Sequence, residues 1–454
     1  MTSAPSSPLL ALPAELTSHI LSFLSPPHLA QASRLCSTIR TLADSEILWA
    51  RIVQREGPSG DRITDPRPCR TWKDLYASHY PYWFLPRHRI WIADRALGGG
   101  GVVMGAVVMV RFDPRRGCIE GYRLVARHGR HKMYAWDYDH DVIVHTFNPE
   151  VTLYLEDPVI KLDLGPPRFA NRVHGETEVS GSSSNAIKAI ISLCRPIAPE
   201  RQAPNMQLWP PRKIPATQRV RSDSGNAFRG EGHRPKTQEE ASDRAFRIRR
   251  GIDFQSRRLG LPGVRMGESV TTFGTLLPES YTPTAAKPFQ GLWVGDYSGH
   301  GCEFLLVLQK RVSPKAPRIQ ASSWRPDEFE GLERSPMLEP DDVFQNNPHS
   351  DEPAGTSPSP PPVLPRPDGT DRDALRPEDD VRYNRLEAIK LTGDPNVPRG
   401  QYTWIAEDIG PDGLIRVADE DPFRGARVVK SFGHTAARGF RNGMPPLHPL
   451  WLRP

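Results

Sequence analysis

Apolar residues first fall into helical register between Leu12 and Trp49. Pro13 suits a first helical turn, where its missing N–H has no partner to lose, and Leu16, Ile20, Phe23 and Leu24 follow on one face. Ser25-Pro26-Pro27 stops that helix. A second apolar period runs through Leu29, Ala32, Leu35, Cys36, Ile39 and Leu42, and Ile47, Leu48 and Trp49 close the unit. The pattern predicts three short helices, which bury too little to stand alone and gain stability by packing on another domain or another protein. Trp72, Leu75 and Tyr76 then predict a short amphipathic helix ended by Pro81.

Beyond Ile90 the period changes from helical to strand-like. Ile90 to Ile92, Val102 to Phe112 and Cys118 to Val125 read as strands, with a turn at Asp113 to Gly117. Val142, Val144 and Phe147 alternate, as do Val151, Leu153 and Leu155. Phe304 to Leu308 shows no polar alternation, which predicts a strand covered on both faces. Leu386, Ala388 and Leu391 share a face, Tyr402 and Trp404 alternate after a turn at Gly393 to Asn396, and Ile415, Val417, Val428 and Val429 extend the sheet. Many short strands at such spacing predict an antiparallel sheet that curls or closes. Arg244 to Arg250 reads as a short helix crossing its surface.

The chain has 454 residues with 48 prolines, 36 glycines and a mean hydropathy of -0.52, so part of it cannot be core. That places insertions in a folded body: a helical unit at 8–55, a linker with docking helix at 56–88, and sheet at 89–165, 286–310 and 381–440. A Pro/Arg-rich, partly disordered insertion covers 166–285, a disordered one 311–380, and an atypical tail 441–454. Pro445, Pro446 and Pro449 cannot feed a sheet ladder, so either the sheet is left open at that edge or the tail is an altered reading of the gene.

A net charge of +6 with basic residues in scattered pairs argues against nucleic-acid binding. Five cysteines without a CxxC argue against a disulfide framework or zinc site, and point to a reducing compartment, cytoplasm or nucleus. The longest apolar run, Val102 to Val110, is about half the roughly 18 residues a membrane helix needs, so no membrane association is expected. No cofactor or metal is expected.

The helical unit, Leu12-Pro13-x-Glu15-Leu16, Ile20-Leu21-x-Phe23-Leu24, Leu29, Cys36, Leu42 and Leu48-Trp49, resembles an F-box. His28, Leu35 and Ile39 depart from the usual pattern but leave the apolar face intact. The resemblance implies docking onto a Skp-type adaptor, and through it a cullin–RING ubiquitin ligase, by Leu12, Pro13, Leu16, Ile20, Leu21, Phe23, Leu24, Leu29, Leu48 and Trp49. Trp83 to Pro86, Asp113 to Tyr122, Gly291 to Trp293, Tyr297 to Glu303 and Lys390 to Gln401 resemble, in the same order, F-box receptors of the thirty-first F-box-only kind and their fungal branch, whose C-terminal half is a β-barrel similar to that of the EXECUTER proteins. The implied fold is α+β, a small three-helix F-box followed by an antiparallel lipocalin-like β-barrel with long disordered insertions. The implied function is the non-catalytic substrate receptor of a Skp–cullin–F-box ligase, in which the barrel binds a protein substrate, including its modified C-terminal end. Tyr297, His300, Glu303, Thr392, Asp394, Asn396 and Trp404 are the residues expected at that site, with Asp394 accepting from an amide-bearing chain end. The rival readings are an enzyme using His300, Cys302 and Glu303, and a small-molecule-binding or stress-sensing barrel without ligase role.

Overall fold

A computed structural model describes residues 8–60, 62–97, 104–164, 177–179, 187–222, 234–253, 265–297, 301–311, 384–394, 397–421, 423–433 and 449–452. The expected disordered insertion at 311–380 lies, apart from residue 311, outside the described residues, as do His300 and Asn396.

The N-terminal unit holds four helices where the sequence predicts three: α1 (Ala14–Leu21), α2 (Pro26–Ala32), α3 (Ser37–Ala43) and α4 (Glu46–Glu56). Leu48 and Trp49 are the start of an eleven-residue helix, α4, rather than a closing tail. Its inner face carries Leu48, Trp49, Ile52 and Val53 at helical spacing, and the Trp49 indole donates to the Ala43 carbonyl at 2.8 Å. Two further helices, α5 (Trp72–His79) and α6 (Phe84–His88), continue the packing. Thr71 caps α5 by accepting from the Asp74 N–H at 3.0 Å, and the Tyr76 ring lies 5.5 Å from that of Trp49. One apolar cluster therefore runs without a break from Leu29, Ile39 and Trp49, through Leu75, Trp83 and Leu85, into the sheet residues Trp91, Val108 and Phe246.

The largest sheet is antiparallel and has nine strands. Its path runs Glu150–Tyr154, Cys118–Arg127, Ala106–Asp113, Ile90–Ala93, Arg265–Thr275, Ala245–Asp253, Ile187–Leu193 and Thr177–Val179, with Ile160–Leu162 also paired to Cys118–Arg127. Arg244 to Arg250, expected as a helix, is nearly all in a central strand because Phe246 and Ile248 alternate into the core. The Pro/Arg-rich stretch expected as an insertion thus supplies strands to the middle of the sheet, paired to Ile90–Ala93 across more than a hundred intervening residues.

A second antiparallel sheet has five strands in the order Gly291–Asp296, Cys302–Lys310, Arg385–Lys390, Tyr402–Ala406 and Phe432–Gly433. Phe304, Leu306, Leu308 and Ile389 pack against Ile92 and Val107 of the first sheet, while Val307, Leu386, Ala388 and Ala406 pack with Val429 on the opposite face. The strand without polar alternation is covered on both sides, as its pattern predicts. A three-stranded sheet, Leu414–Val417, Arg427–Lys430 and Pro449–Leu452, adds Val429 to that second face. Here the sequence expectation fails: Pro449 pairs with Lys430 as the first residue of an edge strand, a place where a missing N–H is tolerated.

Among the described residues no closed barrel forms. Each sheet ends in strands with one paired neighbour, so the lipocalin-like closure expected above is replaced by packed open sheets. Alternation specifies strands and buried faces; closure depends on which distant strands meet, and that is not written in the period.

Candidate functional site

Two places hold the residues singled out in the sequence. On the helical unit, Leu12, Pro13, Leu16, Ile20 and Phe23 lie on the surface, with Phe23 75% and Leu16 52% exposed. Leu21, Leu29, Leu48 and Trp49, expected to touch an adaptor, are buried and form the core under that face; Leu24 is half-buried against it. A helix bundle this thin needs one face of each helix for its own core, so half of the expected contact set supports the surface from beneath. Leu35 and Ile47, members of the same apolar pattern, are 74% and 68% exposed and enlarge the apolar surface.

The second place is in the five-stranded sheet. The ladder pairs Leu305 with Lys390 and Val307 with Ala388, so Glu303, Leu305 and Val307 share a face with Leu386, Ala388 and Lys390. Lys390 is fully buried. Its ammonium hydrogen-bonds Asp394 Oδ2, stands 3.0 Å from Glu303 Oε2 without hydrogen-bond alignment, and lies 3.6 Å from the centre of the Tyr297 ring. Asp394 Oδ1 accepts from the Val397 N–H at 2.8 Å, and the Asp394 N–H donates to the Val397 carbonyl at 3.0 Å. The Tyr297 hydroxyl is 2.9 Å from Thr403 Oγ1. Thr392 Oγ1 accepts from the Phe304 N–H at 3.0 Å, fixing the start of the turn. Gly393, at φ +67, has no room for a side chain: a Cβ there would sit 2.2 Å from the Arg399 nitrogen.

The electrostatics follow from one cation between two carboxyls. Burial pushes the Glu303 carboxyl up to about 7, with the Asp394 charge adding to it and Lys390 offsetting part. Burial would raise Asp394 as well, but Lys390 and the Val397 N–H overcome it and hold the carboxyl below its ordinary value. Of the two carboxyls, Glu303 is therefore the one that keeps its proton until pH rises to about 7, while Asp394 is ionised below its ordinary value. Burial also raises the Tyr297 phenol, which stays neutral.

The structure thus brings together Tyr297, Glu303, Thr392 and Asp394. It corrects two expectations. Asp394 is 2% exposed with both oxygens engaged, so it is no open acceptor on a rim. Trp404 packs beside Val307 and Leu386, and its neighbour Thr403, at a bulge in the ladder, is the residue that reaches Tyr297. Lys390, the centre of the cluster, went unread: in Leu386-x-Ala388-x-Lys390 it continues an alternating buried face, which was the available signal. Cys302, from the enzymatic reading, has its thiol raised by burial and then by the Asp296 charge, away from thiolate character. Among the described residues no group of acidic, histidine or cysteine side chains is arranged to hold a metal ion, and no helix is long and apolar enough to cross a membrane. A cavity of about 350 Å³, lined by Arg55, Tyr80, Trp83 and Asp243 among others, lies where the helices meet the first sheet, away from the Lys390 cluster.

Comparison with known families sets both places in context. Residues 9–55 match the F-box-like family. The chain carries an F-box-like domain. Residues 273–445 match the Cyclin D1 binding domain family, a span that contains the whole Lys390 cluster. No curated protein matches the chain.

Proposed function

We propose that the protein is the substrate-recognition subunit of a Skp–cullin–F-box ubiquitin ligase, acting without catalysis of its own in cytoplasm or nucleus. The observation that carries this reading is the exposed apolar stripe of Leu12, Leu16, Ile20 and Phe23, with Leu35 and Ile47, on a domain matched to the F-box-like family. So much apolar surface on so small a helical unit is the mark of a partner's seat, and the domain match makes a Skp-type adaptor that partner. The cullin–RING part of the ligase follows from the adaptor.

The remainder of the chain holds the protein to be ubiquitinated. The match of residues 273–445 to a domain named for binding cyclin D1 supports a protein ligand in this region. Tyr297, Glu303, Thr392, Asp394 and the turn through Asn396 are the proposed substrate contacts, joined by His300 and Trp404. In the finer reading, a substrate offers an amide-bearing C-terminal end to Asp394. Such an end has to compete with Lys390 and the Val397 N–H for the Asp394 oxygens, and the likeness to thirty-first-type F-box receptors with an EXECUTER-like barrel stays part of this proposal.

The test is co-purification of the chain with a Skp-type adaptor and cullin, beside a Leu16→Asp, Phe23→Asp variant. Capture of adaptor by the wild type and not by the folded variant supports the reading; equal capture by both rejects it. Titration with matched amidated and free-acid peptides tests the finer reading, and equal affinity for the two rejects it.

A further inference from the structure

Two strands, His131–Trp136 and Asp139–Phe147, pair with each other and share no ladder with the three larger sheets. They leave the first sheet after its Cys118–Arg127 strand and return to it at the edge strand Glu150–Tyr154, so the hairpin projects from that edge as an arm. Side chains hold the arm down at two points. Near its base, His128 Nε2 donates to Asp296 Oδ1 at 2.8 Å, and His145 Nδ1 stands 3.7 Å from Asp296 Oδ2. At its tip, the buried Trp136 indole donates to Glu420 Oε1 at 3.0 Å. Glu420 also accepts from both terminal nitrogens of Arg416, at 2.9 and 2.5 Å, and the Arg416 guanidinium lies 4.0 Å from the centre of the Tyr138 ring.

The two points lie on opposite walls of one layer. Glu303 and Lys390 share the face of the second sheet whose Val307, Leu386 and Ala388 pack with Val429 of the three-stranded sheet. Asp296 ends a strand of the second sheet and is followed by Tyr297, whose ring covers the Lys390 ammonium. Glu420 sits between the Leu414–Val417 and Arg427–Lys430 strands of the three-stranded sheet. The arm therefore ties one wall of the Lys390 layer to the other. As it stands the layer is shut, since Lys390, Asp394 and Glu303 are all buried, and a chain end reaches them only if a wall moves. The arm is the part least committed to a core: Met133, Tyr138 and Ile143 on it are exposed, and segments with few buried apolar contacts are the ones that open at low cost.

We propose that this arm is a strap that gates the Lys390 cluster. Release of Trp136 and Tyr138 from Glu420 and Arg416, with the His128 and His145 contacts to Asp296 loosened at the base, lets the two walls part, and re-docking closes them again. What enters rests on the substrate-receptor reading; the opening itself belongs to the chain alone and is tested without a substrate.

The test is hydrogen exchange on the full chain, wild type beside two variants on the arm and away from the cluster. Trp136→Phe keeps an aromatic ring but offers Glu420 no N–H, and His128→Ala removes the base contact. Each should speed exchange at the 131–147 amides about tenfold, the loss of one hydrogen bond to a charged group. The cluster amides of Phe304, Val397 and Gly400, which donate to Thr392 Oγ1, Asp394 Oδ1 and the Lys390 carbonyl, should speed up by the same factor, while the 106–113 amides of the first sheet keep the wild-type rate. A faster arm with unchanged cluster amides, or an arm unchanged in either variant, overturns the gate. Should a variant not fold, the wild type decides: in urea below the unfolding transition, arm and cluster amides should exchange through one shared opening, and cluster amides that exchange only on global unfolding overturn it. Equal affinity for amidated and free-acid peptides would reject the finer substrate reading and leave this exchange result untouched.

Discussion

Replacing Glu303 with glutamine should make the protein more stable above neutral pH and remove one component of its pH dependence. The carboxyl moves from an ordinary 4.5 to about 7 in the folded state. The folded chain therefore binds this proton more tightly than the unfolded chain, and stability falls as pH rises from about 4.5 to about 7. At about 1.36 kcal/mol per unit, the penalty for ionising Glu303 in place reaches about 3 kcal/mol and is fully present above pH 7. Glutamine keeps the shape but carries no charge to bury. Urea unfolding followed by tryptophan fluorescence at pH 5, 6, 7 and 8 measures the difference. Near pH 5 the two proteins should be similar; by pH 8 Glu303→Gln should lead by up to about 3 kcal/mol, a figure already net of the attraction between ionised Glu303 and Lys390. A difference between them that does not change from pH 5 to pH 8 would refute the raised carboxyl.

Lys390→Met leaves two carboxyls facing one another in the interior, and should destabilise by about 3 to 5 kcal/mol in the same assay at pH 7. Alanine at Leu16, Ile20 and Phe23 together should cost about 2 to 4 kcal/mol of adaptor binding by calorimetry while leaving the melting temperature nearly unchanged. Trp49→Ala should do the reverse at first hand, lowering unfolding free energy by about 3 to 5 kcal/mol, because this side chain is core and not contact surface. Gly393→Ala forces a side chain into the left-handed region and onto the Arg399 backbone, so it should destabilise by more than about 1 kcal/mol and loosen the 391–400 amides in hydrogen exchange.

The local part of the fold was legible because it is periodic. Leu16, Ile20 and Phe23 mark a helix face from their spacing alone, and Phe304 to Leu308 announce a doubly covered strand. What spacing does not say is which apolar face meets the protein's own core. Leu16 and Leu21 look alike in the sequence, yet one is on the surface and the other is inside. Arg244, Arg247, Arg249 and Arg250 disguised a strand as a polar crossing because Phe246 and Ile248 are the two large apolar residues among them, few but enough once neighbours bury them. The candidate site was half read for a related reason. Glu303 and Asp394 are charges in apolar or turn surroundings and attract notice, whereas Lys390 gains its meaning from the ladder that sets it beside Leu305, some eighty residues earlier.

The unbroken apolar cluster from Trp49 through Trp83 to Trp91 and Phe246 would have a mechanical meaning if the proposed ligase role holds. Segments joined through a shared interior do not swivel as beads on a string do. The exposed apolar face of the F-box-like domain is therefore held at a fixed bearing to the first sheet, and under the proposed role a target seated on that framework would be presented to the ubiquitin donor from one direction. Which of its lysines are modified would then be a question of reach along that bearing as much as of chemistry.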